Sequence, residues 1–138
     1  MKFIILKIGN TVAPTNFATI FSLIGSYYYI GCYSDQWTRA LSTSAGWKTA
    51  VDCGAYALAN GFTYFSLQNY QSSSTKAECY MTNDINMATI YGSSSYGGYA
   101  RCNFDPANPP YKYGQGWSNA IYATSPMTPA GNFDCIYN

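Results

Sequence analysis

The sequence predicts a small, loop-rich α+β domain stapled by disulfides, in which one helix packs on a short antiparallel sheet. Three observations indicate this fold class. Apolar residues make up 48% and aromatic residues 18% of the 138-residue chain, which suffices for one core. Several short segments have strand composition, whereas only one has a helical pattern. Five widely spaced cysteines without any histidine favour disulfides over a zinc site.

Charge and cysteine usage limit the partners and the compartment. Only 9% of the residues are charged, and seven Lys and Arg nearly balance six Asp and Glu. The chain therefore lacks the basic surface that nucleic-acid binding requires. Disulfides persist in oxidising compartments, so we expect a secreted protein of the extracellular space or cell surface. The sequence indicates no cofactor and no metal site.

The first 26 residues contain two apolar runs, Met1–Leu6 and Phe17–Ile24. They fit either an unusual signal peptide that ends at Gly25-Ser26 or a retained apolar arm that takes part in assembly. Neither run approaches the roughly 18 residues that a membrane-spanning helix needs. We therefore expect no transmembrane segment.

The first element of the domain is a strand over Tyr27–Tyr33, which is dense in aromatic residues and ends at a polar turn. A helix over about Trp47–Asn60 follows, because apolar residues recur there at three- and four-residue steps and Gly61 supplies a left-handed stop. Cys53 lies on or near the apolar stripe of this helix. It is placed to staple the helix to the sheet.

The remaining elements are strands and loops. Two strands are predicted on either side of a serine-rich hairpin loop, two stretches rich in Gly, Ser or Pro are predicted as loops, and a final strand precedes a tail without periodicity. In chain order these are Phe62–Leu67, the loop Gln71–Thr75, Ala77–Met81, the loops Tyr91–Tyr99 and Asp105–Tyr113, Ser118–Tyr122 and the tail 125–138.

Several of these segments together resemble the WSC domain. The opening Tyr29-Ile30-Gly31-Cys32-Tyr33-Ser34-Asp35 is similar to the start of that family, and Glu78-Cys79-Tyr80 and Gly116-Trp117-Ser118-Asn119-Ala120-Ile121-Tyr122 are similar to its later segments. The likeness extends from about Tyr28 to Tyr122, which assigns residues 27–124 to one WSC-like domain. WSC domains are extracellular modules that are generally regarded as carbohydrate-binding, so the resemblance implies that class.

The family usually has eight cysteines, and this chain retains four of them. Loss of an even number is what removal of whole disulfides would produce. On this basis we predict two bonds, Cys53 to Cys79 as a helix-to-strand staple and Cys32 to Cys102 as a closure of the domain ends, although four cysteines formally allow three connectivities. Cys135 lies outside the resemblance and is the odd thiol, free or bonded to another chain.

The sequence gives little support to catalysis. Without histidine the commonest general base is missing, and the cysteines are predicted to be oxidised. Glu78, Asp84 and Asp35 are the carboxylates that could in principle hydrolyse a glycosidic bond. Their ordinary interpretation is a strand surface for Glu78 and turns for the two aspartates, so we predict no enzyme activity.

The aromatic content is the strongest functional signal, because sugar rings stack their apolar faces on Trp and Tyr. We predict that Trp37, Tyr91, Tyr96 and Tyr99 contact a glycan, with Tyr96 and Tyr99 exposed in their Gly-Ser loop. Tyr111, Tyr113, Trp47 and Trp117 are further candidates by residue type, but about half of all the candidates should pack in the core, and Trp47 and Trp117 are expected there because they flank predicted elements. The WSC resemblance adds Gln68, Asn83 and Asp84 as polar partners of a sugar, although an Asn-Asp pair is also ordinary in a turn.

Self-association is the second functional expectation. Low charge, the odd Cys135 and the apolar residues 1–26, if retained, suggest strand addition to a neighbouring copy. Thr11 and Thr15 around Pro14, and Ser125-Pro126 with Thr128-Pro129, add a weak indication of O-glycosylation. We therefore expect a non-catalytic, glycan-associated structural or adhesive protein of a surface, matrix or filament. A soluble monomeric carbohydrate-binding module is the alternative, and an accessory domain of a wall-active glycoside hydrolase is a further one.

Overall fold

The computed structural model describes residues 22–24, 26–96, 99–104 and 110–125. The segments outside these ranges include Cys135 and residues 1–21 of the predicted arm, so the predictions made for them lie outside the described residues. The elements in chain order are β1 Ser22–Ile24, β2 Tyr27–Ser34, β3 Thr43–Lys48, α1 Ala50–Ala59, β4 Tyr64–Gln71, β5 Lys76–Thr82, α2 Ile85–Ala88, β6 Ser95–Tyr96, β7 Tyr99–Ala100, β8 Cys102–Phe104, β9 Lys112–Gly114 and β10 Ser118–Ala123.

A six-stranded sheet is the centre of the fold. Its strand order is β1-β2-β10-β4-β5-β3, and each neighbouring pair is antiparallel. Two small two-stranded ladders, β6-β7 and β8-β9, accompany it. The described fold is therefore mostly sheet, so the predicted combination of one helix and a short sheet fits only roughly.

Helix α1 is shorter than predicted because its first turn is replaced by a strand. Trp47 and Lys48 end β3, which pairs with β5, and the helix begins only after Thr49. The Thr49 hydroxyl accepts a hydrogen bond from the Asp52 N–H at 3.2 Å, which is the usual N-cap arrangement. At the other end Gly61 has a φ of +78°, so the predicted left-handed stop is confirmed.

The predicted strands around the serine-rich loop are confirmed with different bounds. The first begins at Tyr64 rather than Phe62 and continues to Gln71, and the second extends one residue further at each end. Two predicted loops are partly wrong. The stretch from Tyr91 to Tyr99 contains β6, which pairs with β7, and Lys112–Gly114 forms β9 against β8. Both segments pair with a neighbouring strand. Their Gly- or Pro-rich composition does not predict this pairing. Helix α2, a single four-residue turn, was not predicted.

One face of the sheet packs against α1 and forms the main core. Side chains alternate between the faces of a strand, so Phe65 and Leu67 of β4 and Tyr122 of β10 point to the helix. The fully buried members of this core also include Ala57 and the Cys53–Cys79 pair, together with Ala50, Ala77, Met81 and Ala120. We call the opposite side of the sheet the outer face.

The loop from residue 35 to residue 42 and the segment 84–92 cover part of the outer face. Ala40 and Leu41 from the loop pack there with Ala88 of α2 and Ile121 of β10. This smaller core fixes the loop to the sheet. None of the described helices is long and apolar enough to cross a membrane.

Two disulfides staple the fold, and both are the predicted pairs. Cys53 of α1 bonds to Cys79 of β5 with Cα atoms 5.7 Å apart, which ties the helix to the sheet. Cys32 of β2 bonds to Cys102 of β8 with the same Cα separation, across 70 residues of chain. Closing loops of this length lowers the entropy of the unfolded chain and stabilises a fold of limited core size.

Candidate functional site

All three tryptophans of the chain are exposed to solvent. Trp37 is 88% exposed, Trp47 45% and Trp117 44%. Tryptophan is usually well buried, because removing its large apolar surface from water is favourable. The sequence-based prediction that Trp47 and Trp117 pack in the core is therefore wrong. Solvent-facing tryptophans on one protein are typical of a binding surface.

The strand register places Trp47 on the outer face. Trp47 of β3 lies directly opposite Glu78 of β5, and Glu78 lies opposite Gln68 of β4. Opposed residues of an antiparallel pair project to the same side, so these three form a row across three strands. Two strand spacings separate the backbones of Trp47 and Gln68 by about 10 Å.

Asp35 fixes the loop that carries Trp37. Its Oδ1 accepts hydrogen bonds from the Gln36 N–H at 3.0 Å and the Ala40 N–H at 2.9 Å. Its Oδ2 accepts from Arg39 Nη1 at 2.8 Å and from Gln68 Nε2 at 2.9 Å. A buried carboxylate is stable only when its oxygens are satisfied in this way, so Asp35 ties the loop to the sheet.

Trp117 is presented by a strained turn before β10. Its φ is +62°, a left-handed conformation that is unfavourable for a bulky side chain. The turn is held by the Ser118 N–H, which donates to the Gln115 carbonyl at 3.0 Å, and by the Asp35 N–H, which donates to the Trp117 carbonyl at 3.0 Å. Backbone strain of this kind is found at functional sites, where the surrounding structure compensates for it.

The rings of Trp37 and Trp117 meet edge to face, with centroids 5.2 Å apart. The Arg39 guanidinium lies 4.9 Å from the ring centroid of Trp117 and 4.9 Å from that of Tyr80. Burial alone would lower the pKa of Arg39, but the hydrogen bond that Arg39 donates to Asp35 and the nearby carboxylates raise it above its ordinary value. The fixed Arg39 cation therefore holds the rings of Trp117 and Tyr80 in place.

Two cavities flank the Trp37–Trp117 pair. The first has a volume of about 320 Å³ and is lined on one side by Asp35, Gln36 and Thr38. The second, of about 220 Å³, is lined by Arg39, Gln68, Asn69 and Glu78. Both tryptophans line both cavities. We call the three tryptophans and the second cavity's polar residues Arg39, Gln68 and Glu78 the tryptophan surface.

Polar groups continue below this surface. Gln68 is buried, and its Oε1 has no hydrogen-bond partner within the described residues. Asn119 accepts from the Ser66 hydroxyl at 3.0 Å, while its Nδ2 is also unpaired among those residues. Buried polar atoms usually find a partner, so an unpaired acceptor beside the second cavity is consistent with a site that receives a polar ligand.

The structure brings only some of the predicted site residues together. Trp37 and Gln68 belong to the tryptophan surface. Tyr91 contacts the loop that carries Trp37, because its hydroxyl donates to the Thr38 carbonyl at 2.6 Å. Tyr96 and Tyr99 are paired through their backbones, while their side chains lie outside the described residues.

Asn83 and Asp84 lie apart from the tryptophan surface, beyond the opposite end of β5 from Glu78. Asn83 Oδ1 accepts from the Thr63 N–H at 2.7 Å, and Asp84 Oδ1 accepts from the Asn86 and Met87 N–H groups. Five residues of extended chain separate Asn83 from Glu78 by roughly 16 Å. These two side chains therefore serve turn and helix-cap geometry.

Sequence reasoning did not select Arg39, and it expected Trp47 and Trp117 to pack in the core although both were aromatic candidates. Asp35 and Arg39 are four residues apart, a spacing that hints at an ion pair. Gly116 before Trp117 hints at a turn rather than a continuous strand. No sequence signal showed that Trp47 belongs to an edge strand, because its neighbours continue into a helix.

The chain matches no protein-family model, and no curated protein shows significant similarity to it. The interpretation of the site therefore depends on its geometry and chemistry. The tryptophan surface carries exposed indole rings, a fixed guanidinium and a carboxylate, with a buried amide beneath them. The indole rings can stack against an apolar ring face, and the polar groups can bond to hydroxyl groups.

Proposed function

We propose that this chain is an extracellular, non-catalytic carbohydrate-binding module that is similar in role to WSC domains, and that the tryptophan surface is its glycan site. The observation that carries the proposal is the exposure of all three tryptophans at the outer face. Burying such rings against a pyranose face removes apolar area from water, at about 25 cal/mol per Å².

The polar residues around the rings support the same class of ligand. Arg39 offers donors and Glu78 offers acceptors, and the buried Gln68 Oε1 lies beside them as an acceptor without a partner among the described residues. Sugar hydroxyls donate and accept in turn, so they suit a mixed set of this kind better than an anion or a hydrocarbon would. The pair of cavities beside Trp37 and Trp117 provides room for ring substituents.

The carboxylates support a binding role over a hydrolytic one. Asp35 is occupied by four hydrogen bonds and Asp84 caps α2, so each is engaged in holding the backbone. A glycosidase needs two carboxyl groups free to face the scissile bond from either side. The two disulfides are compatible with an oxidising, extracellular compartment.

Binding to insoluble polysaccharides tests the proposal. The full chain is incubated with cellulose, chitin, β-1,3-glucan and mannan, and the protein left in solution is measured. We expect depletion on at least one polymer and a loss of at least tenfold in affinity for Trp37→Ala. Because Trp37 is so exposed, this variant should keep the wild-type fold. Retention of all binding by Trp37→Ala, or no binding of wild type to any of them, would contradict the proposal.

Tyr56→Ala is the matched control. Tyr56 is an aromatic residue of α1 whose 42% exposure is close to that of Trp47 and Trp117, and it lies on the opposite side of the sheet from the tryptophan surface. Loss of binding in this variant equal to that of Trp37→Ala would point to a general effect on the fold or to non-specific adsorption.

Self-association into a surface layer, matrix or filament is a second candidate. It is favoured by an apolar stripe on the solvent side of α1, where Val51, Ala55, Leu58 and Ala59 are exposed and spaced on one helix face. Edge strands β1 and β3 also end the sheet with unpaired sides within the described residues. Such a protein could be structural or adhesive and carry glycan contacts at the same time.

Sedimentation velocity over a range of concentrations tests this candidate, with and without reductant. We expect assemblies that dissociate when Val51 and Leu58 are both replaced by serine, or when residues 1–21 are deleted. The deletion keeps Ile24, which is buried in the main core. A monomer at every concentration would overturn self-association and leave the glycan site untouched.

A further inference from the structure

We infer that the tryptophan surface binds the interior of a linear glycan along several sugar units, rather than one terminal sugar. This inference rests on the proposed function and specifies its substrate class. Its basis is the separation of the aromatic rings into two groups on one face, with polar side chains between them.

The first group is the Trp37–Trp117 pair, and the second is Trp47. The row Trp47–Glu78–Gln68 crosses three strands, and both Glu78 and Gln68 line the cavity next to the pair. Trp47 therefore lies one strand beyond the cavity rim, with its backbone about 10 Å from that of Gln68. This backbone separation is wider than one sugar ring, so in this inference Trp47 meets a different sugar unit from the one at the cavity.

The surroundings of the pair also favour a chain over a terminal sugar. Recognition of a chain end needs a pocket that closes around one terminal sugar. The indole rings here face solvent and do not close around a sugar. The two cavities lie beside the same two indoles, so a bound chain can continue past the pair in either direction. Glu78 lies between Trp47 and the pair, where it can accept hydrogen bonds from hydroxyls of a middle unit.

Arg39 and Asp35 make the pair a rigid platform. The guanidinium is fixed by the 2.8 Å contact with Asp35 and lies over the Trp117 ring, 4.9 Å from its centroid. A preorganised ring loses little conformational entropy on binding, so each additional stacked unit adds to the affinity. In this inference a long glycan reaches Trp47 and a short one does not, so Trp47 makes the affinity depend on length.

Isothermal titration with oligosaccharides of increasing length tests this inference. The probes are β-1,4-glucan, β-1,3-glucan, mannan and chitin oligosaccharides of one, two and six units. For the series that binds, we expect the affinity to rise at least tenfold from two to six units, about 1.4 kcal/mol. Trp47→Ala should remove most of that gain, so that its affinity for six units approaches its affinity for two.

Two further variants keep the test interpretable. Trp47→Tyr retains an aromatic ring and should bind the six-unit probe within about threefold of wild type, since both rings stack on sugars. Tyr56→Ala, on the opposite side of the sheet, should match wild type at every length.

Each outcome has a distinct meaning. Equal affinity for one unit and six units, or an equal loss at all lengths in Trp47→Ala, would overturn the inference while glycan binding stands. Absence of binding to every oligosaccharide and every polymer would overturn the proposed function itself.

Discussion

Gln68 Nε2 donates a hydrogen bond to Asp35 Oδ2 at 2.9 Å, and this bond joins the centre of the sheet to the loop that carries Trp37. Both side chains are buried. The same carboxylate oxygen accepts from Arg39, whose guanidinium contacts the Trp117 ring. One buried acidic residue therefore positions both members of the exposed indole pair.

Replacing Asp35 tests this link. We expect Asp35→Ala to lower the free energy of unfolding by about 3 kcal/mol, because it leaves Arg39 and Gln68 without their shared acceptor. Asp35→Asn keeps the shape and one oxygen, so its loss should be smaller. Urea unfolding followed by circular dichroism measures both. A loss below 1 kcal/mol in Asp35→Ala would show that the loop does not depend on this carboxylate.

Trp117 provides a test of strain at the site. Because its φ is +62°, glycine should be preferred over alanine at this position by about 1 kcal/mol. Both Trp117→Gly and Trp117→Ala should lose glycan binding, since neither has a ring. Thermal and urea unfolding of the two variants give the difference. Equal stability, or a more stable alanine variant, would contradict the strained turn.

Gly54 of α1 is needed for the close approach of Tyr27. A Cβ atom at Gly54 would overlap the Tyr27 ring, so Gly54→Ala should destabilise the fold by about 2 kcal/mol. This sign is the reverse of the usual gain when alanine replaces glycine in a helix. Gly116→Ala is the control, since its added Cβ meets nothing within 4 Å. Stabilisation by Gly54→Ala would refute the packing.

The buried tyrosines predict a loss of stability in alkali. Burial raises the pKa of Tyr29 from 10.0 to about 12, helped by nearby Tyr33, and burial also raises that of Tyr122. The folded state thus favours the neutral phenols. Their contribution is complete below pH 10 and is lost as the pH rises through about 12.

The free energy of unfolding should therefore fall between pH 10 and 12, and Tyr29→Phe should reduce the fall. Tyrosinate absorbance combined with urea unfolding at each pH measures it. An unchanged unfolding free energy up to pH 12 would show that these phenols ionise as freely as in the unfolded chain.

Much of the sheet could be predicted from local pattern. Tyr27–Ser34 and Lys76–Thr82 have the aromatic and alternating composition of strands, and the serine-rich link between β4 and β5 is an ordinary hairpin loop. The two disulfides followed from the family resemblance together with the position of Cys53 on the helix stripe. In these segments local preference and the final fold agree.

The site was less predictable, because it is assembled from distant segments. Trp47 looked helical from its neighbours, yet Thr49 caps the helix and pairing with β5 draws Trp47 into a strand. Trp117 was expected in the core because it flanks a predicted strand, whereas it lies in a left-handed turn and its ring is exposed. Such effects depend on tertiary contacts that no local window of sequence contains.

The central claim is that the three tryptophans together form a glycan site, and amide and indole NMR tests it most directly. The indole N–H signals of Trp37, Trp47 and Trp117 are followed during titration with the six-unit oligosaccharide that binds. We predict that all three shift and saturate together, while the backbone signals of Ala50–Ala59 stay in place. Saturable binding that leaves the three indole signals unmoved, or shifts confined to the helix, would contradict the claim.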